Sequence, residues 1–275
     1  MLSRKKEETG VSQERREYLA RIQTRKRLIT ITRVMILVLF VGLWEAMARL
    51  GIIDSFIMSQ PSRILKTIMG FSNNGLLGHV WVTSYETITG FLLGTIIGTA
   101  IAVALWWSGF LAKVSEPFLV VLNSLPKVAL GPVIIIWAGA GARAIIVMAL
   151  AISLIVTVLE MLNGFRQTNH ELLRMAQTFG AKKYQVFALV VMPYNLHTIF
   201  NTLKVNIGLS LVGVISGEFL VSKAGLGYLI VYGGQVFQMD LVMTSVIILA
   251  AVAAIMYQSV VIAERVVTRA VSHTG

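Results

Sequence analysis

Six stretches of this chain are apolar for about 20 residues or longer: about 30 to 49, 80 to 107, 115 to 138, 144 to 164, 187 to 215 and 238 to 262. As an α-helix, ~20 residues cover roughly the 30 Å thickness of a bilayer's hydrocarbon core. Inside hydrocarbon every backbone N–H and C=O must find its partner within the protein, which leaves helices as the economical solution for such runs. The pattern therefore predicts an all-α polytopic membrane protein with six transmembrane helices. Composition agrees: 56% of the 275 residues are hydrophobic and 13% are charged, with a mean hydropathy of +0.77, well outside the range of soluble domains.

The net charge of +11 in a soluble chain would suggest nucleic acid. Here the basic residues gather at span ends and in one internal loop, where membrane orientation explains them. Residues up to about Ile29 contain nine Lys/Arg and four Glu, which reads as a basic, solvated or surface-lying N-terminal tail over residues 1–29. The apolar run after it lacks a small-residue cleavage site and is longer than a signal sequence's apolar stretch, so it reads as a retained first span. With that tail inside, Lys113, Arg166, Arg174, Lys182, Lys183, Arg265 and Arg269 fall on the same side. Arg63, Lys66, Arg143 and Lys223 fall on the other, with Arg49 at its border. The bias predicts cytoplasmic termini, with the six-helix transmembrane domain over 30–265 and a short C-terminal tail over 266–275. The chain has no cysteine, and His79, His170, His197 and His273 have no metal-ligand spacing, so neither a disulfide framework nor a metal site is expected.

Three features interrupt the apolar runs. Pro126, Lys127, Gly131 and Pro132 mark the third span as one that can break, with freed carbonyls facing protein or a cavity. Gly90, Gly94 and Gly98 recur every four residues along the second, a bare face on which another helix, from this chain or a second copy, can pack. Glu45, Glu86, Glu160 and Lys204 are costly in hydrocarbon and indicate a bundle interior, an aqueous path or an interface. Glu86 and Glu160 lie toward span ends, where headgroups can reach them. Lys204 suits snorkelling, a partner within the bundle, or a solute path. Between the last two spans, Gly225 and Gly227 permit a sharp turn. Glu218 before them suits either a solute path or a hydrogen bond at the helix end.

The one polar, helically patterned segment between spans is residues 165–186. Thr168 stands three residues before Glu171, a capping-box spacing, and Leu172, Met175, Ala176 and Phe179 recur on one face. Arg174 lies off that face, and Gly180 follows as a natural C-cap. A helix of about three turns is marginal alone in water. Its apolar stripe can dock in a groove on a cytoplasmic partner, lie at the membrane surface, or pack on its own bundle. The next polar segment, Ala181 to about Phe187, runs into the fifth span, where Pro193 can kink the chain. That continuity suits mechanical transmission.

Gly180, the nine residues after it, and Val190-Val-Met-Pro193 resemble the Gly-x9-hydrophobic-x-hydrophobic-Pro part of the EAA loop of bacterial ABC importer permeases. Where that family has Glu-Ala-Ala, this chain has Arg174, Met175 and Ala176, so only the last matches. Glu171-Leu-Leu-Arg-Met-Ala resembles the version in the nitrate/sulfonate/taurine branch. LNSLPKVALGPVIIIWAGAGARA (122–144) and GEFLVSKAGLGYLI (217–230) are similar to further segments of that branch.

The resemblance implies a permease in a bacterial cell membrane, paired with a second copy, most simply as a homodimer. It also implies a cytoplasmic ATPase dimer that binds ATP and Mg, and an external substrate-binding protein. The helix before Gly180 would then be the coupling helix between the fourth and fifth spans. Residues 217–230, with Gly225 and Gly227, would help form the outer gate and the dock for the binding protein. The solute would be an aliphatic sulfonate, taurine or nitrate, or alternatively a vitamin precursor. The chain has no phosphate-binding GxxxxGK[ST] loop of its own, so no enzymatic role or cofactor is expected of it. An ion-coupled secondary transporter and a membrane scaffold are the competing classes.

Overall fold

The computed structural model describes residues 13–70 and 75–272. The chain divides into a unit ending at Leu65 and a unit beginning at Lys66. In the first, α1 (Gln13–Arg49) is followed by two short helices, α2 (Ser55–Met58) and α3 (Pro61–Met69), the last running across the boundary. The expected 1–29 tail is thus helical from Gln13 onward, and residues 1–12 lie outside the described residues. Glu45 accepts from Arg49 Nε at 2.7 Å and from the Ser62 backbone N–H at 3.0 Å. It therefore ends α1 in an ion pair and caps α3, where a helix N-terminus favours a carboxylate.

The second unit is built around α7 (Ala142–Arg166), with α4 (Leu76–Trp107) and α11 (Leu196–Val221) against it. Glycines make these approaches close. A methyl group on Gly90, Gly94 or Gly98 would meet Ala149, Ser153 or Thr157 of α7 at 2.6, 2.2 and 2.7 Å, and one on Gly213 of α11 would meet the Ala149 backbone at 2.5 Å. Small-residue packing of this kind brings helices together where lipid offers no hydrophobic driving force. Asn206 of α11 adds a polar tie, its amide donating to Thr157 Oγ1 at 2.5 Å and to Thr95 Oγ1 at 3.4 Å.

The third span is broken. Helix α5 (Gly109–Ser124) meets a 3-10 turn at Lys127–Leu130 and then α6 (Gly131–Ala138), bent by 87°. Pro126 cannot continue the α5 ladder and Pro132 is suited to the first turn of α6. Lys127 Nζ donates to the freed Asn123 carbonyl at 2.9 Å. Among the described residues, five single helices, and this pair taken together, are long and apolar enough to cross a membrane.

Three expectations about the spans are corrected. The fifth span does not begin at residue 187. Short α9 (Lys183–Val186) leads into a π-helical turn, Phe187–Val191, then α10 (Met192–Tyr194), and the span itself is α11. Pro193 has no N–H for the carbonyl four residues back and would press on it, and a wider turn just before it relieves that conflict. The connection between the last two spans holds more than the expected turn at Gly225 and Gly227, because α12 (Leu226–Gln235) forms within it. Leu226 and Leu229 are buried there against Leu76, with Val80, Leu241 and Ile248 around them. The last helix, α13 (Met239–Ser272), outruns its predicted end at 262. His273 and the rest of the C-terminus lie outside the described residues.

Candidate functional site

The polar segment forms α8 (His170–Thr178). Its cap is Asn169, whose Oδ1 accepts from the Glu171 N–H at 2.8 Å, and not Thr168. Thr168 is fully buried, donates to the Phe165 carbonyl at 3.0 Å and accepts from Asn195 Nδ2 at 2.8 Å. Asn195 also donates to the Val191 carbonyl at 2.8 Å. One threonine thus ties the entry of α8 to the break beside Pro193, an arrangement the capping-box spacing did not reveal.

At the other end Gly180 takes φ = +77°, a left-handed conformation that disfavours other residues. Its N–H bonds to the Gln177 carbonyl at 2.9 Å and that of Ala181 to the Ala176 carbonyl at 3.1 Å. This pair is the Schellman closure of a helix. The chain turns straight into α9, where the Lys182 N–H donates to Gln185 Oε1 at 2.7 Å.

The apolar residues of α8 divide between two faces rather than forming one stripe. Leu173 and Ala176, with Ala181 after them, pack on a cluster that joins the ends of α4 and α7 to the connector: Leu105, Phe165, Val186 and Val191 are buried in it. Phe187 sits 4.9 Å from the Trp106 ring and 5.4 Å from the Phe165 ring. Lys183 Nζ lies 5.7 Å from both the Trp106 and Trp107 rings and donates to the Trp107 carbonyl at 2.6 Å. Leu172 is half-buried, while Met175 is 53% and Phe179 84% exposed, beside exposed Glu171 and Arg174. An apolar side chain held out at a fixed helix end invites a partner. The inward face would carry any displacement of α8 to two span ends.

The opposite end of the unit holds a polar knot around Glu218, which is 1% exposed on the last turn of α11. Its carboxylate accepts from Thr83 Oγ1 at 2.6 Å and from the Gly227 N–H at 2.5 Å. Thr83 Oγ1 accepts from the Leu226 N–H at 2.7 Å, and His79 Nδ1 from the Gly225 N–H at 2.9 Å. A Cβ on Gly225 or Gly227 would lie 2.3 or 2.7 Å from the Glu218 carboxylate oxygens. The glycines of GEFLVSKAGLG are thus the space the glutamate occupies. Glu86, expected among headgroups, is instead buried beside Glu218.

Lys204 pairs with Glu264 of α13 at 2.6 Å, with His197 Nδ1 3.4 Å from the other oxygen of that carboxylate. Pro132 lines a cavity of about 310 Å³ with Val128, Ser216 and Leu220. Pro126 and Lys127 stand at the bend of the broken span, and Lys127 points back to Asn123. Within the described residues the structure therefore does not bring Lys127, Lys204 and Glu218 to one place.

Residues 90–273 match the family described as binding-protein-dependent transport system inner membrane component. A putative aliphatic sulfonates transport permease protein of Bacillus subtilis is 25% identical over 229 residues, which is 83% of each chain. A riboflavin transport system permease protein of Chloroflexus aurantiacus is 27% identical over 234 residues, 85% of this chain and 87% of the relative. Among solved structures, a chain of the MetNI methionine ABC transporter in an inward-facing conformation shares the fold. Its TM-score is 0.64 at 18% identity, over 70% of this chain and 95% of that one.

Proposed function

The chain belongs to the family of binding-protein-dependent transport system inner membrane components, and from that premise we propose that α8 is the coupling helix through which a cytoplasmic ATPase drives this permease. The chain is the multi-pass membrane subunit of an ABC importer, and passes a small solute delivered by an extracytoplasmic binding protein. The observation that carries the proposal is the division of α8 into two faces. Met175 and Phe179 stand out, and Leu173 and Ala176 are keyed into the cluster that joins α4, α7 and the connector. Outward residues give an ATPase something to hold, and inward ones give it something to move.

The energetic role is linkage. Closure of an ATPase pair around ATP biases two permease conformations only if α8 is held differently in each. ATP and Mg belong to that partner. The lysine-rich side, with both termini and α8, faces the cytoplasm in this reading, and two copies of the chain form the path.

For the solute, the reading is a small oxyanion such as an aliphatic sulfonate, taurine or nitrate. Support comes from the Glu171-Leu-Leu-Arg-Met-Ala and 122–144 segments and from similarity to the B. subtilis protein. A second reading, a heterocyclic vitamin or its precursor, has the C. aurantiacus relative in its favour. ATP turnover by the complex in lipid nanodiscs, with its neighbouring binding protein and a panel of sulfonates, taurine, nitrate and vitamin precursors, tests both. Stimulation by a sulfonate, taurine or nitrate supports the first, and stimulation by a vitamin precursor alone replaces it with the second. No stimulation by any of them removes both.

A further inference from the structure

Glu86 of α4 stands one helical turn from Thr83, whose hydroxyl bonds Glu218 of α11, and the two carboxyls face each other in the second unit. They are 2% and 1% exposed. Neither has a Lys or Arg partner among the described residues. Two bare negative charges in contact, inside a membrane and without a cation, are not tenable, and carboxyls this close settle by sharing one proton.

The hydrogen bonds say which residue carries it. Glu218 accepts from the Thr83 hydroxyl and from the Gly227 N–H. Two donors converging on one carboxylate stabilise its ionised form, and the N-terminus of α12 adds its dipole to the same end. A proton on the Glu218 oxygen that faces the Gly227 N–H would oppose a group that can only give. Glu86 is the reverse case: its Oε2 is buried and receives no hydrogen bond. That is a poor setting for a carboxylate and a suitable one for a carboxylic acid, which donates one bond and leaves a neutral carbonyl oxygen. The other titratable groups facing the knot fit this account. His79 accepts the Gly225 N–H on Nδ1, so it is neutral with its proton on Nε2, and its ring stacks on Tyr228 at 6.0 Å.

We propose that Glu86 and Glu218 form a one-proton clamp, in which Glu86 as the acid donates to the Glu218 carboxylate and thereby positions the N-terminus of α12 against α4 and α11. The assignment makes the two glutamates unequal under the same change. Glu86→Gln substitutes an amide N–H for the acid O–H and keeps the donated bond. Glu218→Gln removes an acceptor oxygen and points an NH₂ at donors.

The test uses the full chain in nanodiscs and two readouts. The infrared difference spectrum of wild type minus E86Q at neutral pH should contain a protonated-carboxyl C=O band. In hydrogen exchange, the segment 222–230 should be protected in E86Q to within about twofold of wild type, and should exchange about tenfold faster or more in E218Q. Absence of the band from the difference spectrum, or exchange in E86Q as fast as expected of E218Q, overturns the clamp. Should E218Q fail to assemble, the band and the protection in E86Q still decide.

Discussion

Gly180 offers a graded test of why α8 ends where it does. Its φ of +77° is left-handed, and a Cβ built there meets nothing within 4 Å. The cost of a side chain is therefore backbone strain alone. Alanine in that conformation costs about 1 kcal/mol, and a β-branched valine about 2 kcal/mol or more. Asparagine tolerates the left-handed region and costs a few tenths. The nine-residue α8 is too short to hold itself in water, so ~2 kcal/mol, about a 30-fold shift between closed and frayed C-cap, is comparable to what fixes its end. Solute taken up per ATP hydrolysed, measured in proteoliposomes, should fall in the order glycine, asparagine, alanine, valine, with the asparagine variant near wild type. An asparagine variant as uncoupled as the valine one would refute the reasoning, because the constraint at 180 would then be room for a partner and not backbone conformation.

Three further outcomes are expected. Phe179→Asp replaces the exposed apolar residue at the C-cap of α8 with a charge that a partner's pocket would bury unpaired; the ATPase should no longer copurify while the permease itself stays folded, and intact copurification would mean that Phe179 faces elsewhere. Gly98→Ile forces a side chain into Thr157, which a Cβ alone would meet at 2.7 Å. Thermal unfolding in detergent should report a loss of about 2 kcal/mol or more, and an unchanged midpoint would contradict the close α4–α7 approach. Lys204→Met leaves Glu264 with His197 as its basic neighbour among the described residues and should lower the unfolding midpoint, whereas K204M combined with E264M should restore most of it; equal loss in both would show that the ion pair is not what the single change breaks.

The spans were legible because apolar length needs no tertiary information: α4, α7 and the break at Pro126 stand close to where hydropathy and proline put them. What failed to show was direction. Leu173 and Ala176 face the bundle while Met175 and Phe179 face out, and all four are apolar, so periodicity gives the axis of α8 but not which side the protein covers. Thr168 and Asn169 are both good caps, and the buried bond from Asn195 decided between them. Pro193 announced a break, but the turn that accommodates it lies before it, which moved the start of the fifth span to Leu196. The Glu86–Glu218 contact joins residues far apart in the chain. Each alone reads as an ionisable group near a helix end, and only packing α4 against α11 turns two awkward charges into one site.

The most direct test of α8 as the coupling element is a photocrosslinking amino acid placed in turn at 179, 175 and 173, with the chain assembled with its ATPase in nanodiscs. Adducts to the ATPase from 179 and 175, strengthened or weakened by ATP, and none from 173, are the expected result. Adducts from 173, or none from 179 in a complex that still hydrolyses ATP, would contradict the account.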